Sequence, residues 1–345
     1  MKKGLIRGAL VLVGILMLQG IIGMETKAAA RLNKKSIVID RKTNYQLTIR
    51  GTKKKVTWSS ENERVATISP KGRVRGRSVG ETVITAKYGK RKLICKVTVR
   101  EPMRYYGHRG FRSQYPENTI PAFTGAMKAG FQGVEMDVFE TDDGEIMVFH
   151  DDTIDRMCRG TGSIYDITPR NRKKYWINAG KNIAKYNTQR KRLYIPTLEE
   201  AVKAMKKRDA TIYIHLKGAR YITDAGINKM EQVLRKHDMV DQSIIFATGG
   251  NILSRFEARG LNVGIGIGVT PVSKAQVEEK LQECIERGGD SFIVFWPSDV
   301  TRKLVRRCKE EGIDFGVYNV KTKAEARRLH NMGVDFVFSR FALFK

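Results

Sequence analysis

Cysteine is scarce in this chain of 345 residues, and so are carboxylates and long apolar segments. The four cysteines show no C-x-x-C spacing and lie in unrelated local contexts: Cys95, Cys158, Cys284 and Cys308. So few thiols argue against a disulfide-rich scaffold, even for a protein that reaches an oxidising compartment. We therefore expect free thiols with at most one bridge.

No apolar segment is long enough for an obvious membrane span. The N-terminus has a basic start, an uncharged apolar run at Ala9–Leu18 and small residues at Ala28–Ala30. Its low-charge stretch continues to Met24, but it is interrupted by Gln19 and is shorter than the roughly 20 residues that a spanning helix needs. Residues 1–30 are therefore predicted to be a signal peptide, and the protein to be secreted or held at the cell surface. A retained N-terminal anchor is the alternative.

Acidic residues are few: 36 Asp and Glu face 64 Lys and Arg, which gives a formal net charge of +28. Removal of residues 1–30, with four cations and one carboxylate, would leave +25. Such a field favours anionic partners, which for an exported protein are phospholipid headgroups, phosphodiester metabolites or anionic cell-wall polymers. The densest basic block, residues 170–192, contains no nucleic-acid-binding motif, so no nucleic acid is expected. A solvated basic face is the alternative.

Residues 31–100 alternate apolar and polar positions in short runs that are separated by turn residues. The predicted strands are residues 36–39, 45–49, 56–58, 65–68, 83–86 and 93–99. This pattern predicts a small antiparallel β-sandwich, and no catalytic cluster lies within it. The segments Val56–Asn62, Val65–Ser69 and Gly80–Thr85 resemble bacterial immunoglobulin-like (group 2) domains of surface proteins. The resemblance implies a spacer or adhesive module.

From residue 101 to residue 345, short apolar strands alternate with amphipathic helices. The predicted strands are residues 104–107, 133–139, 145–149, 211–216, 243–247, 262–267, 291–295, 314–318 and 334–338. The predicted helices are residues 120–129, 198–208, 227–237, 274–286, 301–310 and 323–331. This alternation predicts an α/β fold, a TIM-type (β/α)8 barrel preceded by the all-β sandwich.

Nine predicted strands are one too many for an eight-stranded barrel. Strands 133–139 and 145–149 are joined by a link that is too short for a parallel crossover, so we expect them to form a hairpin. With a turn centred on residues 142 and 143, His150 would lie opposite Glu135 across the pair.

Two carboxylates, Glu135 and Asp137, are spaced to project from the same face of one predicted strand. Parallel carboxylates repel unless a positive group lies between them. A divalent cation supplies that charge, and hard oxygen ligands suit Mg²⁺ or Ca²⁺. Neutralisation by a buried Lys or Arg is the alternative for the pair taken alone.

Two histidines accompany this pair. His108 follows the first strand, where barrel enzymes collect functional groups, and Arg109 beside it offers a planar fork that matches phosphate oxygens. His150 is the second imidazole. Two such groups can deprotonate an attacking oxygen and protonate a departing alcohol, so we predict general acid–base catalysis of phosphoryl transfer by His108 and His150.

Another strand carries His215 and Lys217 on a shared face. Lys217, like Arg109, is predicted to bind phosphate. His215 could be a third metal ligand or a third imidazole in the pocket. The two remaining histidines, His237 and His330, lie in polar helical segments and receive no role.

The barrel segment contains an ordered series of motifs: Gly107–Gly110, Pro116–Thr119, Val134–Val138, Thr141 with Asp143–Gly144, Val148–Asp151, Asp155–Arg156, Gly160 with Gly162, and Ile195–Leu198. In that order and spacing they resemble the glycerophosphodiester phosphodiesterase family. The resemblance implies His108 and His150 as catalytic residues, Glu135 and Asp137 as metal ligands, and Arg109 near the phosphate. It implies cleavage of glycerophosphodiesters to glycerol 3-phosphate and an alcohol.

The chain departs from the family pattern at two positions. His215 precedes Leu216 and Lys217 where the family usually carries Glu-x-Lys with the Glu as third metal ligand. An imidazole there removes one negative charge and favours Mn²⁺ or Zn²⁺ over Ca²⁺ or Mg²⁺. Tyr318–Lys321 stands where the family often has Trp-Thr-Val-Asn.

The leading hypothesis is an exported, metal-dependent glycerophosphodiester phosphodiesterase. One alternative is a hydrolase of lysophospholipid headgroups that uses the same site. The other is a barrel without turnover that, with the sandwich, binds anionic polymer or membrane at the cell surface. Retention of both histidines and both carboxylates favours the enzyme.

Overall fold

The computed structural model describes residues 29–206, 210–218, 222–248, 251–267, 273–294 and 296–344. The chain forms two compact units that divide between Glu101 and Pro102. The predicted signal peptide lies outside the described residues except for Ala29 and Ala30. In the described part of the chain, no helix has the length and apolarity to cross a bilayer.

The first unit is built from short strands. They are β1 Arg31–Leu32, β2 Ser36–Asp40, β3 Asn44–Gln46, β4 Ile49–Arg50, β5 Val56–Ser60, β6 Ala66–Ile68, β7 Arg73–Gly76, β8 Gly80–Tyr88 and β9 Arg91–Arg100. A four-stranded sheet has the order β2-β9-β8-β5, a three-stranded sheet has the order β3-β7-β6, and β1 pairs with β4. The predicted sandwich is confirmed with one correction: β2 and β9 pair in parallel. A parallel pair needs a long connection, and these two strands are joined through the whole unit.

Alternate residues of these strands form the core of the sandwich. The residues buried between its sheets include Ile37, Ile39, Leu47, Val74, Ile84, Cys95, Val97 and Val99. The intervening positions of β9 and β7, such as Lys92, Lys96 and Arg73, face solvent. The period of two seen in the sequence therefore separates an apolar interior from a basic exterior.

The second unit contains nine strands in one sheet among the described residues. They are β10 Arg104–Gly107, β11 Gly133–Glu140, β12 Ile146–Val148, β13 Thr211–Leu216, β14 Ser243–Ala247, β15 Val263–Gly266, β16 Ser291–Val294, β17 Asp314–Val317 and β18 Phe336–Ser339. Eight pair in parallel, and the β10–β11 pairing closes the ring. The ninth, β12, pairs antiparallel with β11 and forms an isolated bridge between Met147 and Thr197. The predicted closed (β/α)8 barrel is confirmed.

Seven helices follow the strands in this part of the structure: α1 Ile120–Ala129, α2 Leu198–Lys206, α3 Asp224–Lys236, α4 Leu253–Glu257, α5 Lys274–Glu286, α6 Arg302–Glu310 and α7 Lys323–Met332. The sequence did not predict α4, which is too short for a clear helical period. Helix α3 begins three residues before its predicted start because the Thr223 hydroxyl accepts a hydrogen bond from Gly226 N and caps it.

The predicted hairpin between β11 and β12 is present, but its predicted register is wrong by one residue. Val138 pairs with Val148, and Thr141 N donates to Glu145 O at 2.9 Å. The connection therefore has three residues, 142–144, rather than a turn centred between 142 and 143. Gly144 adopts a φ of +77°, the left-handed conformation that ends such a three-residue loop.

The corrected register moves His150 along β11. Phe149 N donates to Asp137 O at 3.0 Å, so the chain leading to His150 runs beside Asp137 and not opposite Glu135. The ladder itself ends at Val148, and His150 lies beyond it. The imidazole still reaches the same end of the barrel.

Aromatic side chains fill the barrel interior. Tyr106, Tyr213, Phe246, Tyr318, Phe336 and Phe338 form one buried cluster with Ile293. The rings of Tyr318 and Phe338 lie 4.4 Å apart, and those of Tyr106 and Tyr213 lie 5.0 Å apart. This buried aromatic layer fills the described barrel interior beneath the polar side chains described next.

Candidate active site

Three strands deliver polar side chains to the carboxyl end of the barrel. His108 directly follows β10, Glu135 and Asp137 alternate along β11, and His215 lies near the end of β13. Asp137 pairs in register with His215 across the β11–β13 ladder. The i, i+2 spacing thus places both carboxylates on one face, as the sequence predicts, and the ladder adds the imidazole of His215.

Glu135 is fully buried and carries an unusual charge environment. Its Oε2 accepts a hydrogen bond from Arg109 N at 2.8 Å, and its Oε1 accepts none among the described residues. Burial, followed by the adjacent Asp137 carboxylate, raises the pKa of Glu135 well above its usual value. A buried carboxylate oxygen without a donor is costly unless a cation approaches it.

Asp137 is the better satisfied member of the pair. Its Oδ2 accepts a hydrogen bond from Asn118 Nδ2 at 2.9 Å, and its Oδ1 lies 3.1 Å from His215 Nδ1. Burial alone would raise the pKa of Asp137, but the hydrogen bond with His215 and the charge of Arg109 outweigh it and hold the pKa far below the usual value. Asp137 is therefore ionised at neutral pH.

Glu135, Asp137 and His215 together could hold a metal ion. Each offers one ligand atom, and these atoms lie within 4.8 Å of one another. The orphaned Glu135 Oε1 is 3.8 Å from His215 Nδ1, which leaves an acceptor pointed into the same small volume. The His215 ring stacks on Phe246 with centroids 4.5 Å apart, and this contact fixes its orientation. The donor set fits a divalent cation with mixed oxygen and nitrogen ligands.

His108 is the most enclosed of the site histidines. Its Nε2 lies 3.9 Å from Glu135 Oε2, its Nδ1 lies 3.4 Å from Arg112 Nη2, and its ring edge meets Tyr318. Burial, followed by the charges of Arg109 and Arg112, lowers the pKa of His108 well below its usual value. The imidazole is therefore neutral at pH 7.

His150 belongs to a chain of charged groups. Its Nδ1 lies 2.5 Å from Asp151 Oδ1, and Arg156 donates to Asp151 at 2.6 Å and to Glu117 at 2.5 Å. Arg109 Nη1 donates to the same Glu117 oxygen at 2.9 Å. Burial lowers the pKa of His150 although Asp137 and Asp151 act to raise it. The chain of ion pairs orients the imidazole through Asp151.

The two residues predicted to bind phosphate both lie at this end of the barrel. Arg109, at a φ of +55°, forms an ion pair with Glu117, and its Nε lies 3.4 Å from Asp137 Oδ2. Lys217 N donates to Val138 O at 3.1 Å, and the Lys217 charge acts on the pKa of Glu135. Their contact with phosphate remains a prediction.

Sequence reasoning assigned no role to several residues that contact the site. Asn118 and Glu117 belong to the family motif Pro116–Thr119. The alternation of apolar and polar residues along a strand could not show that this loop folds back onto Asp137. Arg112 and Tyr318, which contact His108, lie four residues and more than two hundred residues away from it. The family motif offered a signal for the first two, the departure at Tyr318–Lys321 offered one for Tyr318, and none marked Arg112.

Comparisons with known proteins relate both units of the chain to known families. The sequence profile of the Glycerophosphoryl diester phosphodiesterase family matches residues 108–342, and that of the Bacterial Ig-like domain (group 2) matches residues 33–97. A glycerophosphodiester phosphodiesterase of Caldanaerobacter subterraneus is 28% identical over 233 residues, which cover 67% of this chain and 91% of that protein. Human glycerophosphodiester phosphodiesterase 1 is 34% identical over 131 residues, 38% of this chain and 39% of that protein.

Solved structures share the barrel. An Oleispira antarctica phosphodiesterase in complex with the product sn-glycerol-3-phosphate superposes with a TM-score of 0.61 at 23% identity, covering 70% of this chain and 94% of that one. A glycerophosphodiester phosphodiesterase of Agrobacterium tumefaciens gives a TM-score of 0.56 at 22% identity, covering 70% and 99%. At these identities the likeness concerns the fold, whereas the profile match spans most of the sequence. The chain therefore belongs to the glycerophosphoryl diester phosphodiesterase family.

Proposed function

We propose that the barrel hydrolyses glycerophosphodiesters to glycerol 3-phosphate and an alcohol. The observation that carries the proposal is the convergence of two imidazoles and two carboxylates at the carboxyl end of one barrel: His108 lies 3.9 Å from Glu135, and the charge of Asp137 acts on His150. The product bound to the Oleispira antarctica relative supports the substrate class.

The environments of the two histidines suggest different tasks. Burial and two nearby arginines lower the pKa of His108, so it is neutral and acts as the general base toward the attacking oxygen of water or of a neighbouring substrate hydroxyl. His150 faces the carboxylate of Asp151, which stabilises an imidazolium. It acts as the general acid: the phosphorus–oxygen bond to the alcohol breaks, and His150 gives that oxygen its proton.

We propose that the reaction depends on a divalent metal held by Glu135, Asp137 and His215. Such an ion would neutralise negative charge at the phosphate. Within the protein, Asn118 orients the Asp137 carboxylate and Phe246 orients the His215 ring. One imidazole and two carboxylates suit Mn²⁺ or Zn²⁺ better than an all-oxygen set does, so we expect these metals to support more activity than Ca²⁺ or Mg²⁺.

Activity measurements test this function. Glycerol 3-phosphate release from glycerophosphocholine and glycerophosphoglycerol would be followed with each of the four metals and after chelation. Inactivity with all four, together with no effect of His108→Ala, would contradict the proposal. A higher kcat/KM on detergent-dispersed lysophospholipid would move the substrate class to lysolipid headgroups.

We also propose that the protein is exported, because residues 1–30 have the basic start, apolar run and small residues of a signal peptide. N-terminal sequencing of the protein recovered from the producing cells tests this. A mature N-terminus near Ala30 is expected, and an intact Met1 on protein found only inside the cells would contradict it.

A second function is favoured by the surface of the sandwich. We propose that it binds an anionic membrane surface through a group of seven exposed cations, which we call the basic tip: Lys53, Lys54, Lys55, Lys87, Lys90, Arg91 and Lys92. Lys87 pairs directly with Lys92 across β8 and β9, and Lys54 Nζ packs over Gly89 in the turn between them. No ion pair involves these residues within the described part of the unit. Ile94, 51% exposed two residues beyond Lys92, adds an apolar contact.

Vesicle binding tests this second function. The full chain should sediment with vesicles of phosphatidylglycerol and phosphatidylcholine, in a salt-sensitive manner, and remain in solution with phosphatidylcholine alone. Binding unaffected by chelator is expected because the basic tip contains no metal ligand. Binding to soluble polyphosphate but not to the anionic vesicles would contradict the membrane partner and assign the tip to a polymer.

A further inference from the structure

A separate cavity of about 350 Å³ borders the active site on the side of the loop that follows β10. Arg112, Glu117, Arg156, Lys181 and Arg340 line it together with apolar side chains. The cavity shares a wall with the catalytic centre, because Arg112 Nη2 lies 3.4 Å from His108 Nδ1. Arg112 therefore contacts both the cavity and the imidazole of His108.

The charges in this wall do not cancel. Glu117 is its single carboxylate among the described lining residues, and three arginines share it: it accepts from Arg109 at 2.9 Å and from Arg156 at 2.5 Å, and its Oε2 lies 3.5 Å from Arg112 Nη1. Arg156 forms a second ion pair, with Asp151, which also offsets its charge. Lys181 and Arg340 form no ion pair within the described residues, and both are exposed to the cavity mouth.

Like charges crowd together at this point. Burial first, and then the nearby charge of Arg109, lowers the pKa of Arg112, and Arg340 acts in the same direction. Glu117 lies among Arg109, Arg112 and Arg156 and offsets part of their repulsion, but its single charge leaves the cavity wall positive overall, which favours a bound anion. Guanidinium forks match the oxygens of a phosphate, and the ammonium of Lys181 adds a mobile point charge.

We propose that this cavity is a second phosphate subsite, which binds a phosphate on the alcohol portion of the diester and so selects glycerophosphodiesters whose leaving alcohol is itself phosphorylated. The inference rests on the proposed hydrolase function and names its preferred substrate class. Arg340 and Lys181 act as specificity residues that touch the distal phosphate, and Arg112 joins the subsite to the catalytic imidazole. The leaving alcohol then departs as a phosphate monoester once His150 protonates its oxygen.

Two diesters that differ by one phosphate test the proposal. Glycerophosphoglycerol has a neutral alcohol, and its analogue with a phosphate on the distal glycerol hydroxyl has the predicted one. For the wild-type protein we expect kcat/KM to be at least about tenfold higher on the phosphorylated diester, mainly through a lower KM, because the distal contact is made equally in the ground and transition states.

Charge-removing variants assign that preference to the cavity. Arg340→Gln and Lys181→Gln should each reduce the ratio of the two kcat/KM values by about fivefold, corresponding to one exposed charge–phosphate contact. Lys174→Gln removes an exposed cation that lies, like Lys181, in the basic block of residues 170–192 but outside the cavity, and it should leave the ratio unchanged.

The outcomes separate this inference from the hydrolase function. A wild-type ratio near one, or a ratio that Arg340→Gln, Lys181→Gln and Lys174→Gln all leave alone, overturns the second subsite while hydrolysis stands. If all three variants reduce the ratio equally, the preference comes from the general field and the subsite is again overturned. A wild-type protein that cleaves neither diester with any metal overturns the hydrolase function itself.

Discussion

The sandwich and the barrel carry their positive charge in opposite ways. Residues 31–100 contain 20 Lys and Arg against four Asp and Glu, whereas residues 101–345 contain 40 against 31. The smaller region thus holds +16 of the net charge and the larger one +9. In the sandwich, ion pairs among the described residues involve Arg41 and Arg100, and the remaining cations face solvent. The barrel instead pairs its arginines with carboxylates at and around the site.

The two regions also differ in how many polar side chains they bury. The barrel buries His108, Glu135 and Asp137 at 4%, 0% and 1% exposure, and each has charged neighbours that shift its pKa. The described sandwich buries a single polar side chain, Thr82, whose hydroxyl accepts from Asn62 N. Charged groups interact strongly with one another in a buried, low-dielectric environment, whereas water and salt screen them at an exposed surface. The barrel therefore suits catalysis, and the sandwich suits weak, salt-sensitive attraction.

Removing His150, the proposed general acid, should produce the largest change and should affect one region alone. His150→Ala is expected to lower kcat/KM for glycerophosphoglycerol by about 10²-fold to 10⁴-fold, because under the proposed mechanism the departing oxygen would lose its proton donor. Glycerol 3-phosphate release measures this effect. Sedimentation of this variant with anionic vesicles should equal that of the wild type. A loss of both hydrolysis and vesicle binding would contradict the assignment of the two functions to separate regions.

Loss of Glu117, the carboxylate that Arg109 and Arg156 share, should have the next largest effect. Glu117→Gln leaves Arg109 and Arg156 without their common anion and should cost the barrel about 3 kcal/mol of unfolding free energy at pH 7. Burial would raise the pKa of Glu117, but its arginines lower it on balance. A depressed carboxyl pKa stabilises above the unfolded value of about 4.3 and loses that effect as pH falls through the folded value.

Urea unfolding of wild type and variant between pH 7 and pH 3 checks this expectation. The difference between the two proteins should shrink at the acid end. Glu279→Gln, at an exposed position, should change stability by no more than about 0.5 kcal/mol. A difference that stays constant over the whole pH range would mean that Glu117 acts through packing and not through its charge.

Loss of the Asn118 amide, which donates to Asp137, should have a smaller effect, and that effect should be on metal affinity. Asn118 adopts a φ of +53°, so Asn118→Gly removes the donor to Asp137 without straining the backbone. We expect a 10-fold to 100-fold weaker affinity for Mn²⁺, measured by calorimetric titration, as for other residues that orient a metal ligand. Asn182→Gly makes the same change at a φ of +57° away from the carboxylates and should leave the affinity unchanged. Equal losses in both variants would contradict an orienting role.

Much of the barrel could be predicted because its signals are local. All nine predicted strands of the second unit appear within about two residues of their expected bounds, and the excess strand could be identified from its short link. The hairpin register could not be derived in the same way, since it depends on whether the turn uses two or three residues. Gly144 decides that through its left-handed conformation, and a single glycine in a sequence does not reveal its φ.

The site was predictable where its residues share a strand and unpredictable where loops fold back. Glu135 and Asp137 follow from strand period, and the ladder brings His215 to them. Asn118 reaches Asp137 only because the loop before α1 turns at its own positive φ, and Tyr318 reaches His108 from the seventh parallel strand. Contacts of this kind form only when the barrel closes and brings distant segments together. A local sequence pattern does not carry that information.

The smallest expected effect tests the sandwich side of the comparison. Lys54→Gln removes one of seven cations from the basic tip, at the position whose Nζ packs over Gly89. It should weaken binding to anionic vesicles by about 1 kcal/mol, or roughly fivefold, since each lysine near such a surface contributes about that much. Lys71→Gln removes the same charge from an exposed turn outside the tip and should have a clearly smaller effect. If both variants weaken binding equally, the sandwich attracts membranes through its overall charge, and the tip has no special role. Neither substitution should alter kcat/KM, because the groups proposed to act on phosphate all belong to the barrel.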